Sequence, residues 1–355
     1  MEFIKPGTNI DFVGKRKMAF LLSLVMIIIT IFLLLLRGGP NLGVDFSGGI
    51  LIQVKMASKH DIAGIKDALK EIQLQDSIIQ EFGEEGQFEY LIRVRATDIP
   101  LTGLSDKAKQ ALSKIFEEEV EIRRVEMVGP KVGKDLRQKA LFAIFYAILF
   151  IAIYISGRFE LKWMMSLVMA FSLAFVVYLA SSIGIGVTWL ILVALVVTIG
   201  LCWYLNLKYA MGAIIALMHD VIITFGAFAL TNREISLAII AAFLTIVGYS
   251  LNDTIVVFDR IRENMRRYRK RKLDEVINAS INETLSRTIL TSTTTLIVVL
   301  SLFILGGGVI HDFAFAILIG ILVGTYSSIF VASPILLIWE GRFLASLRGG
   351  KSISK

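Results

Sequence analysis
The chain has 355 residues, 55% of them hydrophobic and 19% charged, with a mean hydropathy of +0.72. A soluble protein of that size carries more charge and less apolar surface, so the bilayer is the solvent from which to reason. The formal charge of +7, from 37 basic and 30 acidic residues, stands in short clusters beside apolar runs; that pattern is juxtamembrane charge and excludes a nucleic-acid-binding surface.

Residues 18–36 form an uncharged apolar run behind Lys15, Arg16 and Lys17, long enough to cross a bilayer. Arg37-Gly-Gly-Pro follows it, not the small residues of a cleavage site. The expectation is therefore a cytoplasmic segment 1–17 and an uncleaved first crossing 18–36. Residues 37–137 turn polar and suit one small domain on the far side. Patterns there predict a strand at 50–54, a helix at 61–72, strands at 77–81 and 89–94, a helix at 105–119 and a strand at 121–128. A β-α-β-β-α-β order suggests a ferredoxin-like α+β sandwich with both helices on one face of an antiparallel sheet.

Beyond residue 138 the chain is apolar again to about 340, with crossings expected at 140–156, 163–182, 187–206, 209–230, 235–257, 288–305 and 312–338. The fold class is thus an all-α membrane bundle of about eight helices with one α+β domain. An even number of crossings puts both termini, including the tail 341–355, in the cytoplasm. It also places Arg158, Lys162, Lys208 and the basic run from Arg260 to Lys272 there. Within the loop 258–287, Leu273, Val276, Ile277, Ile281 and Leu285 recur at helical spacing, predicting a short amphipathic helix lying on the cytoplasmic membrane surface. The lone cysteine, Cys202, lies in an apolar run and is expected to pack.

Within the crossings, ionisable and polar residues carry the functional argument, because a charged group at a helix centre costs about 2.5–3.5 kcal/mol on insertion scales. Asp220 stands twelve residues beyond Lys208, roughly 18 Å into the membrane at ~1.5 Å per residue. A carboxyl near the midplane can exchange a proton as a relay requires, or serve as hydrogen-bonded glue between helices. Its neighbour His219 is expected on another face, since adjacent helical positions point about 100° apart. Asn252 and Asp253 sit a turn inside the cytoplasmic boundary, where Asp253 can pair with a cation or act as a second proton stop, although an interfacial carboxylate with water access needs neither role. Arg260 and Arg262 lie at that boundary, where each can snorkel outward or reach back to a buried carboxylate. The hydroxyl cluster Ser286, Thr288, Thr291, Ser292, Thr293, Thr294 and Thr295 is suited to water-holding or, more simply, to close interhelix packing. No nucleophile–base pair, metal-ligand cluster or phosphate-cradling loop stands out, so neither an enzyme nor a metal or cofactor site is expected.

Several of these segments resemble the SecF family of the resistance-nodulation-division superfamily. They are Phe12-Val-Gly-Lys-Arg, Gly43-Val-Asp-Phe-Ser-Gly-Gly, Ala216-Leu-Met-His-Asp220, the run from Tyr249-Ser-Leu-Asn-Asp-Thr to Asn264, and Ser286-Arg-Thr-Ile-Leu-Thr-Ser-Thr-Thr-Thr295. The resemblance implies a multi-pass protein of the bacterial inner membrane, with a periplasmic domain, that pairs with SecD. It implies that the pair assists the SecYEG channel and the SecA ATPase, using the proton gradient to draw preproteins outward. On this matching Asp220 falls on the family's intramembrane proton-carrying aspartate, and Arg260 or Arg262 on its functional arginine. Protons, membrane lipid and the translocating preprotein are the other implied partners, and no nucleic acid. The chain departs from the family's usual six crossings at 163–206, where Trp163 to Leu205 has no ionisable side chain apart from Cys202, Tyr178 and Tyr204, and suggests an extra hairpin. Glu160-Leu-Lys-Trp163 echoes Asn206-Leu-Lys-Tyr209, with Ala174 where the later segment has Asp220. Rival readings are a proton-driven exporter of a small molecule or lipid, which needs a substrate cavity, and a passive scaffold, in which Asp220 is dispensable.

Overall fold
The computed structural model describes residues 9–74, 77–82, 86, 88–95, 103–160, 163–182 and 187–339. Residues 1–8, the link 183–186 and the tail 341–355 lie outside that set.

The chain enters as α1 (Arg16–Leu36), which beyond Arg16 and Lys17 is uncharged and leaves most of its apolar side chains exposed. A short helix, α2 (Val44–Ser47), then leads into the domain formed by β1 (Gly49–Lys55), α3 (Ile62–Lys70), β2 (Ile78–Phe82), β3 (Glu89–Arg95), α4 (Leu104–Phe116) and β4 (Glu121–Val128). The sheet order is β2-β3-β1-β4, with every neighbouring pair antiparallel. Ile50, Ile52 and Val54 of β1 alternate inward beside Tyr90, Ile92 and Val94 of β3, as a period of two requires. Ile65 and Leu69 of α3 and Ala108 and Leu112 of α4 pack on that same face. A fully buried aliphatic side chain of this kind contributes about 1.5–3 kcal/mol.

The Gly-Gly turn ties this domain to the helices. Gly48 and Gly49 hold φ of +71° and +130°, values that disfavour any side chain, and a Cβ on Gly48 would meet the Pro130 backbone. The preceding residues dock on the short link between two later helices, α8 (Lys208–Thr231) and α9 (Leu237–Arg267). Leu42 bridges Ile235 in a parallel pairing, Gly43 N–H donates to the Ile235 carbonyl at 3.0 Å, and Ile235 N–H donates to the Asn41 carbonyl at 2.8 Å. Asp45 Oδ2 accepts the N–H of Leu237 at 2.8 Å, satisfying an orphan donor at the start of α9. Above these contacts Arg93 of β3, only 4% exposed, forms an ion pair with Glu234 and donates to Asn41 Oδ1 at 3.2 Å.

Among the described residues, six helices are long and apolar enough to cross a membrane: Arg16–Leu36, Pro130–Glu160, Lys208–Thr231, Leu237–Arg267, Leu273–Leu305 and Ile310–Trp339. The second of these, α5 (Pro130–Glu160), begins with a proline at its first position, where no N–H is needed, and runs unbroken from the domain toward the bundle. The expected boundary at 137 is therefore not a break in the backbone. Two more apolar helices, α6 (Trp163–Ser182) and α7 (Val187–Tyr204), stand where the extra hairpin was expected. Their inner residues Met169, Leu173, Ala194 and Cys202 share one core with Phe145 and Ile155 of α5. Cys202 packs against Met169 there, in keeping with its expected role.

The bundle is completed by α10 (Leu273–Leu305) and α11 (Gly308–Ser327), after which a π-helical turn, Ser328–Ala332, continues into residues 333–339. The loop 258–287 differs from expectation. Leu273 to Leu285 is the first part of the single helix α10, not a separate helix lying on the membrane. Its apolar face is buried: Ile277, Ile281 and Leu285 join Ile261 and Val257 of α9 and Phe12 of the N-terminal segment in one core. Asn278 fixes that segment, accepting the N–H groups of Phe12 and Val13 on Oδ1 at 2.9 and 3.3 Å and donating to the Ile10 carbonyl at 3.0 Å. Helical periodicity identifies an apolar face but not the surface that covers it.

Candidate functional site
Asp220 lies at the middle of α8 and is 1% exposed. Four helices meet around its carboxyl. Oδ2 accepts hydrogen bonds from Ser250 Oγ of α9 at 2.5 Å and Ser327 Oγ of α11 at 2.8 Å. Oδ1 lies 2.9 Å from Nδ1 of His219, whose Nε2 lies 3.0 Å from Ser23 Oγ of α1. Ser23 Oγ is 3.1 Å from Tyr326 Oη of α11, and that hydroxyl donates to the Ala19 carbonyl at 2.7 Å. The network thus runs from α1 through α8 to α9 and α11.

His219 departs from expectation. Its side chain leaves α8 in another direction from that of Asp220, but the imidazole swings back along the helix to reach the carboxyl and stacks against Tyr326 with centroids 5.9 Å apart. The 100° rule fixes where Cβ leaves the helix; a ring further out has more reach. Sequence reasoning also missed Ser23, Ser327 and Tyr326. The signal available was the lone Ser among the mostly apolar residues of the anchor and the polar run Thr325-Tyr-Ser-Ser328 in the last span.

Close helix approach makes the site possible. A Cβ on Gly324 would stand 2.9 Å from Cβ of Ser250, and one on Gly320 would overlap Ile246. These two glycines let α11 settle against α9, so that Ser250 and Ser327 flank one carboxylate oxygen. The π-helical turn begins immediately after Ser327, where the Ser333 hydroxyl donates to the Ser328 carbonyl at 2.8 Å. Such turns widen a helix locally and recur at functional sites.

The second buried carboxyl, Asp253, lies one turn beyond Ser250 on α9. Ser292 of α10 donates to its Oδ2 at 3.4 Å and lies 2.8 Å from Thr325 Oγ1 of α11. The remaining hydroxyls of the cluster mostly bond their own helix: Thr291 and Thr294 donate to carbonyls of α10, while Tyr249 of α9 donates to Thr295 Oγ1 at 3.3 Å. Asn252 is exposed, off the face that carries Ser250 and Asp253. Arg260 pairs with Glu263 at 3.1 Å and Glu283 at 3.6 Å, and Arg262 donates to the Arg158 carbonyl at 3.2 Å. Both arginines lie ten or more residues past Ser250, roughly 15–18 Å along the helix, and neither bonds Asp220.

An ionised Asp220 accepts from both serines. A proton on Oδ2 would turn an acceptor into a donor, so at least one serine must turn away or reverse its bond. Because the serines belong to α9 and α11, the protonation state of one atom is sensed by two helices. Among the described residues no lysine or arginine pairs with Asp220, and His219 is its only ionisable partner.

Comparisons with known proteins bear on the family. A family profile described as protein export membrane protein SecD/SecF, C-terminal, matches residues 107–202 and 179–342, and one described as the SecD/SecF GG motif matches 34–58. A protein translocase subunit SecF from Calditerrivibrio nitroreducens is 42% identical over 337 residues, covering 94% of this chain and 95% of that protein. Another, from Magnetococcus marinus, is 40% identical over 347 residues, covering 96% and 95%. The chain belongs to the SecF family of protein translocase subunits. The crystal structure of the translocon-associated membrane protein SecDF from Thermus thermophilus superposes with a TM-score of 0.69 at 29% identity, covering 94% of this chain. This chain spans only 39% of that longer one. In SecF terms, the GG match covers both the Gly-Gly turn and the residues before it that dock on the α8–α9 link. The two C-terminal matches overlap at 179–202, within the expected extra hairpin.

Proposed function
We propose that this SecF-family subunit works with SecD in the bacterial inner membrane, using proton flow to promote late-stage preprotein translocation through SecYEG and SecA. The observation that carries the reading is Asp220, a buried carboxyl at mid-bundle gripped by serines from two different helices. Asp220 takes up and releases the proton on opposite sides, and Asp253, beside Ser292, is the second station toward the cytoplasm. Arg260 and Arg262 mark the cytoplasmic mouth, while the exposed Asn252 lies outside the path. Moving one charge through the potential supplies about 2.3 kcal/mol per 100 mV, enough to bias a two-state motion.

The α8–α9 link joins the proton site to the outer domain, since α8 carries Asp220, α9 carries Ser250, and the link between them bonds Asn41 and Gly43, just before the Gly-Gly turn, and pairs with Arg93. In this reading α6 and α7 cross as a pair, bringing the total to about eight crossings with both ends cytoplasmic. The outer domain is periplasmic and ferredoxin-like; its β-α-β-β-α-β order and antiparallel β2-β3-β1-β4 sheet support that assignment.

The test is preprotein export in vesicles containing this chain and SecD, with and without an imposed proton gradient. Asp220→Asn should abolish the gradient-stimulated part and leave the remainder. A full response to the gradient in the variant would make Asp220 structural glue and end the relay reading.

A further inference from the structure
At the cytoplasmic end of the bundle, in the orientation proposed above, a cleft of about 590 Å³ opens between the ends of α5, α8, α9 and the last helix. Four cations line it, Lys208, Arg262, Arg266 and Arg269, against one carboxylate, Glu160. That carboxylate is engaged, its Oε1 accepting the backbone N–H of Tyr209 at 3.0 Å. Among the described residues, Lys208, Arg266 and Arg269 have no ion-pair partner, although carboxylates elsewhere at this end are paired, as Asp259 is with Arg158. A concave site with four cations against one carboxylate carries surplus positive charge and favours an anion from outside.

An aromatic wall defines the depth of the site. Trp339 donates its indole N–H to Asn206 Oδ1 at 2.5 Å and meets the edge of Trp203 with centroids 4.7 Å apart. Trp203 and the following Tyr204 are 52% and 84% exposed at the end of α7, facing outward beside the cleft. Aromatic side chains of this kind sit at the headgroup level of a bilayer, so the cations stand at the depth of lipid phosphates.

We propose that this cleft is a binding site for a phosphate group, supplied by the headgroup of an anionic phospholipid whose chains run along α7. Lysine contributes a point charge, while Arg262, Arg266 and Arg269 offer planar donor pairs suited to phosphate oxygens. Four cations can serve a headgroup with two phosphates as well as one with a single phosphate. The site also gives the extra hairpin a part to play, since α7 supplies Trp203 and the turn after it supplies Asn206, which orients Trp339. The site stands independently of any proton movement at Asp220.

The full-length chain in zwitterionic detergent micelles would be titrated with cardiolipin, with phosphatidylcholine and with inorganic phosphate, scoring bound lipid by native mass spectrometry and the unfolding midpoint in parallel. Cardiolipin should be retained and raise the midpoint, whereas phosphatidylcholine should do neither. Lys208→Ala/Arg266→Ala/Arg269→Ala should weaken cardiolipin binding roughly a hundredfold, given the usual contribution of each cation near a lipid surface. Lys270→Ala/Arg271→Ala/Lys272→Ala, which removes equal charge outside the cleft, should bind as the wild type does. The lipid-free midpoint of each variant checks that it is folded. Competition by millimolar inorganic phosphate would support the phosphate site while identifying a soluble phosphate as an equal source. Equal loss in both triple variants, or no preference for cardiolipin over phosphatidylcholine, would overturn the proposal.

Discussion

Replacing Glu234 with alanine tests whether the α+β domain is fastened to the helices that carry Asp220 and Ser250 through one buried ion pair. Removing one partner of a fully buried pair costs about 3–5 kcal/mol, because the other charge is left uncompensated. Here Arg93 is 4% exposed and Glu234 is 19% exposed, so water reaches one side of the pair. Arg93 also keeps its bond to Asn41 Oδ1 at 3.2 Å. Both facts lower the figure to about 2–3 kcal/mol, which corresponds to roughly a 30- to 150-fold shift in a local opening equilibrium. Hydrogen exchange reads that equilibrium directly. The Gly43 and Ile235 amides, which bond the Ile235 and Asn41 carbonyls at 3.0 and 2.8 Å, should exchange faster by about that factor. Amides inside the β1–β3 ladder should be unaffected, since their bonds lie within the domain. The exchanged pair Arg93→Glu/Glu234→Arg should recover part of the protection. Unchanged exchange at Gly43 and Ile235 in Glu234→Ala would refute the reasoning, leaving the backbone bridge and Asp45 as sufficient fastening.

Three other substitutions follow from the packing. Gly324→Val should force α11 from α9 at Ser250, destabilise the bundle by about 1–3 kcal/mol and lower gradient-stimulated export toward the level of Asp220→Asn; thermal unfolding and the vesicle assay measure the two effects. Thr288 is buried with a hydroxyl that finds no partner among the described residues, so Thr288→Val should be neutral or stabilise by up to about 1 kcal/mol, seen as a raised unfolding midpoint. Asn278→Ala removes the bonds to Phe12 and Val13 and one of those to Ile10, leaving the Asn282 bonds to Ile10, and should expose residues 10–13 to protease roughly 5- to 30-fold faster at a cost of about 1–2 kcal/mol.

The α+β domain was readable nearly element by element. The helix expected at 61–72 is Ile62–Lys70, and the strand expected at 121–128 is Glu121–Val128, because alternation and helical spacing are local properties of the chain. The membrane segments were readable for a related reason: an apolar run must match the bilayer thickness wherever it folds. Asp220 stood out by the same logic, as the acid at the centre of such a run. What stayed hidden depends on distant partners. Nothing near His219 in the chain announces that its ring will lie between Asp220 and Ser23, or that Ser327 will complete the carboxyl's shell. The apolar face of Leu273–Leu285 gave no hint of its cover, because a face that fits lipid also fits protein.

The sequence by itself determined a multi-pass protein with one small α+β domain, the acid at the centre of its bundle and the family to which it belongs. These follow from composition, periodicity and short contiguous motifs, which need no knowledge of neighbours. Only the tertiary structure decided that α9 and α11 share the grip on Asp220, that Arg93 reaches Glu234 across the domain boundary, and that four cations converge beside Trp339. Each depends on side chains far apart in the chain arriving within hydrogen-bonding or ion-pairing reach. Helix packing sets that geometry, through close approaches such as those at Gly320 and Gly324.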